Sequence, residues 1–328
     1  MRLLVGDIGG TKTVLAVAEV TGARVTLTEV RRYASQDFRS LEAMGRDFQA
    51  GLGQAPQRAA FAVAGPVLDG RSRTTNLPWE LDSVELRQAL GLEEAVLLND
   101  LEAVAWGIPA LGDAELAEVQ RGDPAAQGNA SVVAAGTGLG QAGLFWDGQR
   151  HHPFATEGGH GDFAPGDDRE IALLCHLRQR FARVSWERLV SGPGIASIHE
   201  FLVHSAGAEL PDWLLRELEA GDPAASIAAA AAQGRCALCV AAMDLFWRLY
   251  GREAGNTALK HMALGGVYLA GGIAPKNLEA LCTGPFLEAF LAKGRMAALM
   301  QRIPVKVILA GEAPLYGAAL FAAAARDR

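Results

Sequence analysis

Two glycine–threonine tips, each set between apolar runs of extended character, limit what this chain can fold into more than any other feature. The first is Gly6-Asp7-Ile8-Gly9-Gly10-Thr11-Lys12-Thr13, entered from Met1-Arg2-Leu3-Leu4-Val5 and left through Val14-Leu15-Ala16-Val17-Ala18. An apolar run, a tight glycine turn and a second apolar run read as a β-hairpin. Glycines at such a tip let backbone N–H groups approach a ligand closely, and an array of them suits phosphate oxygens. The neighbouring Asp7 offers a carboxylate to Mg²⁺, directly or through water. Taken alone, the segment fits an ordinary Gly-Gly turn equally well.

The second tip shifts that balance. Ser131-Val132-Val133-Ala134-Ala135 leads into Gly136-Thr137-Gly138-Leu139-Gly140, and Gln141-Ala142-Gly143-Leu144-Phe145-Trp146 resumes the extended pattern. A third glycine cluster, Ala270-Gly271-Gly272-Ile273, follows the apolar run Val267-Tyr268-Leu269. Two hairpins of one kind suggest an internal duplication, with one phosphate-facing tip from each half. Neither tip has the Gly-Lys-Ser/Thr ending of a P-loop. Gly136-Thr137-Gly138-Leu139-Gly140 also has the wrong final spacing for a dinucleotide fingerprint, and an extended segment follows it where a helix is needed. A Rossmann dehydrogenase is therefore disfavoured.

At 328 residues, 50% of them hydrophobic, the chain is long enough for two domains with large cores. A net charge of −7 argues against nucleic acid or a membrane surface as partner. An anionic nucleotide would then be held by local amides and a metal. The first apolar run ends at Asp7, too soon for a signal peptide, and Gln233, Gly234 and Arg235 interrupt the Ala-rich stretch 224–240, so a membrane span is not expected. Cys175, Cys236, Cys239 and Cys282 do not suggest a disulfide scaffold, and a reduced, cytoplasmic protein is expected. Cys236-Ala237-Leu238-Cys239 has the CxxC spacing of redox and zinc sites. It lies in a helical Ala/Leu/Val pattern with no His pair at ligand spacing, and reads as two core or groove side chains.

Along the first half, the hairpin is followed by a predicted strand over 24–31, a helix over 40–51, a strand over 59–64, a helix over 83–90 and a strand over 95–98 ending at Asn99-Asp100. The second half predicts its own hairpin, a strand near 151–156, and helices over 168–181, 197–205, 213–220 and 224–250. Late strands over 267–270 and 305–309 precede an Ala-rich helix over 315–325. The fold class is α/β with mixed sheets and flanking helices. A small domain over 1–108 and a large one over 109–310 are expected, with the hinge near Trp106-Gly107-Ile108-Pro109. The last helix, about 311–328, is a candidate to dock on the small domain, although its partner is not fixed by sequence.

Three polar clusters carry candidate chemistry. Asn99-Asp100 ends an apolar strand at the edge where open α/β sheets bind ligands, and offers an amide and a carboxylate to adjacent hydroxyls. The same pair is a common helix N-cap. Glu157-Gly158-Gly159-His160 can turn sharply and present a carboxylate and an imidazole to one ligand, or lie on the surface as a plain loop. Zinc ligation by His160 is disfavoured, because the next cysteine, Cys175, stands alone. The segment Ser185-Trp186-Glu187-Arg188-Leu189-Val190-Ser191-Gly192-Pro193-Gly194 combines a capping-like Ser185, an acidic Glu187 and a Gly-Pro-Gly turn. Glu187 alone would read as an exposed helix residue.

Taken together and in order, these motifs resemble the bacterial, non-zinc glucokinase family, in the hexokinase branch of the actin-like ATPase superfamily. The resemblance covers nearly the whole chain. Gly6–Thr11 resembles the first phosphate motif, Gly136–Gly140 the second, and Ala270–Ile273 the adenosine motif. Leu98-Asn99-Asp100, Glu157–His160 and Ser185–Gly194 resemble the sugar-binding segments. The loop Thr75-Asn76-Leu77-Pro78-Trp79 resembles one near the sugar.

The resemblance implies a two-domain actin-like ATPase (ribonuclease H-like) fold with a central cleft, where ATP, Mg²⁺ and glucose meet. It implies Asp100 as general base on the sugar 6-hydroxyl, with Asn99, Glu157, His160, Glu187 and Asn76 binding the sugar. Asp7, Gly9, Gly10, Thr11, Lys12, Gly136, Thr137, Gly138, Gly271 and Gly272 would bind nucleotide, with Asp7 reaching Mg²⁺ through water. A homodimer is implied at the family level. The related repressor/ORF/kinase family carries a Cys-x-Cys-Gly-x-x-Gly-Cys cluster after its Gly-His element. Here Gly161-Asp162-Phe163-Ala164-Pro165 follows, so no zinc is expected.

Another hexose as acceptor, and ADP or polyphosphate as donor, stay open. A sugar-responsive transcription regulator on this scaffold would need an N-terminal DNA-binding helix pair, yet a core strand begins at once. An actin-like chaperone or filament protein would keep the phosphate tips, with no need for Asn99-Asp100 and Glu157 to converge.

Overall fold

The computed structural model describes residues 1–74 and 77–325. Asn76, expected near the sugar, lies outside the described residues. The chain divides into two compact units, one of residues 1–116, 152–155 and 310–328, the other of 117–151 and 156–309.

The first unit is built on strands β1 (Arg2–Ile8), β2 (Lys12–Thr21), β3 (Arg24–Ala34), β4 (Arg58–Val63) and β7 (Glu94–Asn99), with a small pair β5 (Arg71–Arg73) and β6 (Glu80–Asp82) beside them. The five-stranded order is β3-β2-β1-β4-β7. β1, β2 and β3 run antiparallel as a meander, and β4 and β7 then add in parallel. Side chains alternate across this sheet. Leu4, Ile8, Leu15, Val17, Phe61 and Val63 meet Leu41, Met44 and Phe48 of α1 (Leu41–Ala50) and Leu86 of α2 (Ser83–Ala89). Leu3, Val5, Ala16, Ala18, Ala60 and Ala62 face the opposite way, onto Ala103 of α3 (Asp100–Gly107) and Leu315, Ala318 and Ala319 of the C-terminal helix Ala313–Ala324. Burial on both faces is why β1, β2 and β4 read as continuous apolar runs.

The second sheet comprises β8 (Leu116–Gln120), β9 (Ala130–Ala135), β10 (Leu139–Trp146), β11 (His151–Thr156), β12 (Gly266–Ala270) and β13 (Val305–Ile308), in the order β11-β10-β9-β12-β13-β8; all of it belongs to the second unit except Leu116 and residues 152–155, which group with the first. β9 and β10 form an antiparallel hairpin, and β12 and β13 add in parallel beside β9. This is the arrangement of the first sheet, and it gives the duplication suggested by the two tips a structural form. The helices are α4 (Asp168–Leu177), α5 (Gly192–Ala206), α6 (Asp212–Ala220), α7 (Pro223–Ala232), α8 (Ala237–His261), α9 (Leu278–Cys282), α10 (Pro285–Leu291) and α11 (Ala297–Met300), and the C-terminal helix of the first unit is α12. The fully buried Tyr250 of α8 donates its hydroxyl to the Val133 carbonyl of β9 at 3.0 Å, tying helix to sheet.

Two sequence expectations need correction here. The helix expected over 224–250 is two helices, α7 and α8, bent by 105°. The break falls at Gly234, which adopts φ 63, a left-handed conformation that ends a helix. α5 begins at Gly192, earlier than the expected Ser197, because Ser191 caps it by accepting the Gly194 N–H at 3.1 Å. Ser185 makes no side-chain cap bond. Among the described residues, no single helix is long and apolar enough to cross a membrane.

The contact of α3 with α12 is backbone against backbone. A Cβ on Gly317 would overlap the Ala103 carbonyl, and one on Gly107 would overlap the Ala313 carbonyl. Alanine at Gly317 would gain about 1 kcal/mol of helix propensity. The overlap with rigid backbone would cost about 1–3 kcal/mol, and the second effect wins. Gly317→Ala should therefore lower the apparent urea midpoint of the first unit's unfolding; an unchanged or higher midpoint would show that the helices separate freely.

Candidate active site

The register of the first sheet sets which candidate residues share an edge in the first unit. Ile8 pairs Val63 across β1–β4, and Val63 pairs Asn99 across β4–β7. Parallel neighbours lie about 4.8 Å apart, so the Asp7–Gly9 strand end and Asn99-Asp100 share one edge roughly 10 Å apart.

The tip itself is braced from below. Gly9 donates its N–H to Lys12 O at 3.1 Å, and Ser35 donates its N–H to Thr11 O at 3.0 Å. The Ser35 hydroxyl donates to Gly9 O at 2.7 Å and pairs with the Thr13 hydroxyl at 2.9 Å. The tip carbonyls are thus engaged inward, while Thr11 and Lys12 stand exposed at the crest. Asp7 is half-buried, and burial pushes its carboxyl up to about 6 against the opposing pull of Lys12. An oxygen donor whose ionisation is costly without a cation, beside a phosphate-type tip, fits Mg²⁺, which takes one or two carboxylates and keeps its waters.

Asn99 is the N-cap of α3. Its Oδ1 accepts the N–H groups of Leu101 and Glu102 at 3.0 and 3.1 Å, and its Nδ2 donates to Gly65 O at 3.1 Å. An amide has two N–H donors, so little of this side chain is left for a ligand. Asp100 stands in the first turn of α3, half-buried, with Oδ1 accepting the Leu101 N–H at 2.9 Å. A carboxylate there sits at the positive end of the helix dipole.

In the second unit, candidate residues gather around the Gly136–Gly138 tip. Gly136 donates to Gly138 O at 2.9 Å, closing the turn, and Gly192 at the start of α5 donates to Gly136 O at 2.8 Å. Gly271 follows β12 with φ 80, and a Cβ there would overlap the Ala135 carbonyl. Only glycine fits this position. The parallel register Ala270↔Ala134 carries the third glycine cluster to the same edge as the second tip. Thr137, Gly271 and Gly272 are exposed there.

Glu157, His160 and Glu187 converge beside the same tip. The His160 ring nitrogens lie 3.8 Å from a carboxylate oxygen of Glu157 and 3.8 Å from one of Glu187. The second Glu187 oxygen accepts the Leu139 N–H at 3.0 Å, so this carboxylate touches both the tip and the imidazole. The turn carrying His160 rests on β10, because Gly159 leaves its backbone against the Leu139 carbonyl.

Several anchors of this cluster gave no signal in the sequence. Arg183 pairs with Asp162 and donates to His160 O at 2.7 Å. Thr156 donates its hydroxyl to Gln141 O at 3.1 Å and accepts the Gly158 N–H at 3.2 Å. Gln141 in turn donates to the buried Glu253 at 2.8 Å. Burial raises Glu253 above the usual carboxylate range, against the hydrogen bonds from Gln141 and Asn256. Each of these residues is ordinary in its own sequence neighbourhood, and only pairing across the chain reveals it.

The Asp7 shift has a stability consequence with a definite sign. The folded chain prefers the neutral carboxyl, so this contribution is complete below the ordinary value of 3.8 and is lost as pH rises through about 6. A rise from 3.8 to about 6 corresponds to at most about 3 kcal/mol. In chelator, Asp7→Asn should unfold at higher urea than wild type at pH 8, with the gain vanishing near pH 4. Equal midpoints at pH 8 would refute a costly buried carboxylate.

Comparisons with known proteins agree with this architecture. The sequence profile of the glucokinase family matches residues 4–325. A glucokinase of Nostoc punctiforme is 42% identical over 336 residues, covering 98% of each chain. The crystal structure of a glucokinase from an Antarctic psychrotroph superposes with a TM-score of 0.85 at 32% identity, covering 98% of both chains. A glucokinase of Balamuthia mandrillaris, in complex with glucose, shares the fold with a TM-score of 0.77 at 23% identity, covering 98% of this chain and 93% of that one. Two duplicated sheets with glycine tips at their edges, matched over nearly the full length by such relatives, place this chain in the glucokinase family, with the actin-like ATPase fold.

Proposed function

We propose that this chain is a glucokinase that transfers the γ-phosphoryl group of ATP to the 6-hydroxyl of glucose. The observation that carries the reading is the cluster of Glu157, His160 and Glu187 around the second glycine tip. Two carboxylates and an imidazole within hydrogen-bonding reach of one small volume suit the vicinal hydroxyls of a sugar. A filament protein or chaperone has no use for them. The tips Gly9-Gly10-Thr11 and Gly136-Thr137-Gly138, exposed at their threonines, would receive the phosphates, and Gly271-Gly272 the adenosine side.

Asp100 is the general base in this reading. It accepts the 6-hydroxyl proton as that oxygen bonds to the γ-phosphorus, while the bond from phosphorus to the β–γ bridging oxygen breaks and ADP leaves. Asn99 orients this base chiefly as the cap of its helix, and offers the sugar at most its remaining N–H. Phosphoryl transfer has a loose transition state, so positioning and charge neutralisation carry most of the acceleration. Mg²⁺, held through Asp7, would supply that neutralisation on the phosphates. Lys12, exposed beside Asp7, would contact a phosphate as well in this reading. The reaction needs no membrane or nucleic acid, and a cytoplasmic location and a homodimer fit the reading.

A coupled assay with ATP, Mg²⁺ and a panel of hexoses tests the substrate: glucose should give the highest kcat/KM, and preference for another hexose overturns it. Asp100→Asn should lower kcat by about 10²–10⁴-fold with glucose binding retained. Turnover close to wild type would remove Asp100 as base. Glu157→Gln should raise the KM for glucose more than it lowers kcat, and an unchanged KM would take Glu157 out of the sugar site.

A further inference from the structure

We propose that His199, Cys236 and Cys239 form a binding site for a thiophilic divalent cation of the zinc class, bridging α5 and the start of α8. Their ligand atoms all lie within 4.8 Å of one another. His199 Nε2 is 3.6 Å from Cys239 Sγ. In a zinc tetrahedron with bonds of about 2.1 Å to nitrogen and 2.3 Å to sulfur, that edge is about 3.6 Å. The buried pair is therefore already at coordinating separation, and the set closes with a small shift of Cys236.

The surroundings supply the shielding and the access that an ion site needs. His199 and Cys239 are 4% and 0% exposed, so their polar atoms are aimed at each other in a site shielded from water. Cys236 is half-exposed and gives an ion a way in. It occupies the N-cap position of α8 without a side-chain cap bond, and its thiol meets that of Cys239. As N-cap, Cys236 sits over the first turn of α8, which carries Cys239.

The adjacent cation, Arg235, is drawn off by Glu217 at 3.4 Å and stacks over Trp213 at 3.7 Å. Three protein ligands leave a fourth position for water. Cysteines bind as thiolates, so capture releases protons and tightens as pH rises. None of the three residues belongs to the glycine tips or to the Glu157–His160–Glu187 cluster. α5 begins at Gly192, whose N–H holds the Gly136 carbonyl, so an ion here would brace the helix behind the second tip.

The test uses reduced, chelator-stripped protein carrying Cys175→Ser and Cys282→Ser, which removes the two exposed thiols. Titration with Co²⁺ should give a thiolate-to-cobalt absorption band in the near ultraviolet that saturates at one equivalent and is displaced by Zn²⁺. Adding Cys236→Ser, a change at the half-exposed ligand, should abolish the band or weaken binding by at least about tenfold, the least that loss of even an outer-shell partner costs. Circular dichroism and the metal-free melting temperature would verify that both proteins are folded. No band at one equivalent, or a band unchanged by Cys236→Ser, overturns the proposal.

Discussion

The parallel pairing of β1 with β4 and of β4 with β7 is the constraint on which the candidate residues of the first unit depend. Its register, Ile8 to Val63 to Asn99, is held by side chains buried on both faces, and a slip of one residue would turn every one of them around. With that register fixed, the first glycine tip and Asp100 must emerge at one edge. The second sheet repeats the device through Ala134 and Ala270, which carries Gly271 to the edge of the second tip. Duplication of one sheet plan thus yields two edges, each with a glycine tip and a place for polar side chains.

Close backbone approach is the second recurrent device. Where α3 meets α12, where Gly159 meets Leu139 and where Gly271 meets Ala135, glycine lets main chain touch main chain. At the tips, the N–H groups of Gly9 and Gly136 close the turns, and the carbonyls of the same two glycines are occupied by Ser35 and by Gly192. Charge is then placed sparingly. Asp7 sits where its ionisation is costly without a cation, and Glu187 divides its oxygens between the tip amide and His160.

Much of this could be read in advance, because hairpins, caps and glycine turns are written in windows of a few residues. β1, β2, β9 and β10, and the helix starting at Asn99-Asp100, needed no information from elsewhere in the chain. Gly234 is visible as an interruption of the Ala-rich run, yet the apolar pattern resumes beyond it and reads as one helix; a left-handed glycine that ends one helix and an uncapped start at Cys236 are what divide it. Ser35, Arg183, Gln141 and Glu253 left no mark, since each is chosen by a partner far away in sequence. Gln141 and Glu253 are 112 residues apart. The CxxC pair shows the same limit: without a histidine at ligand spacing it reads as core, and His199 reaches it only because α5 packs on α8.

The sequence by itself determined the glycine tips, the two-faced apolar strands and the order of the motifs, and with them the family. These follow from local steric and burial rules that operate within single elements. The tertiary structure alone decided that Glu157 and Glu187 flank His160, that the Asn99 amide is spent on capping α3, and that a histidine stands over Cys239. Those outcomes depend on how side chains from distant elements share one volume, and no periodicity in a linear chain encodes that.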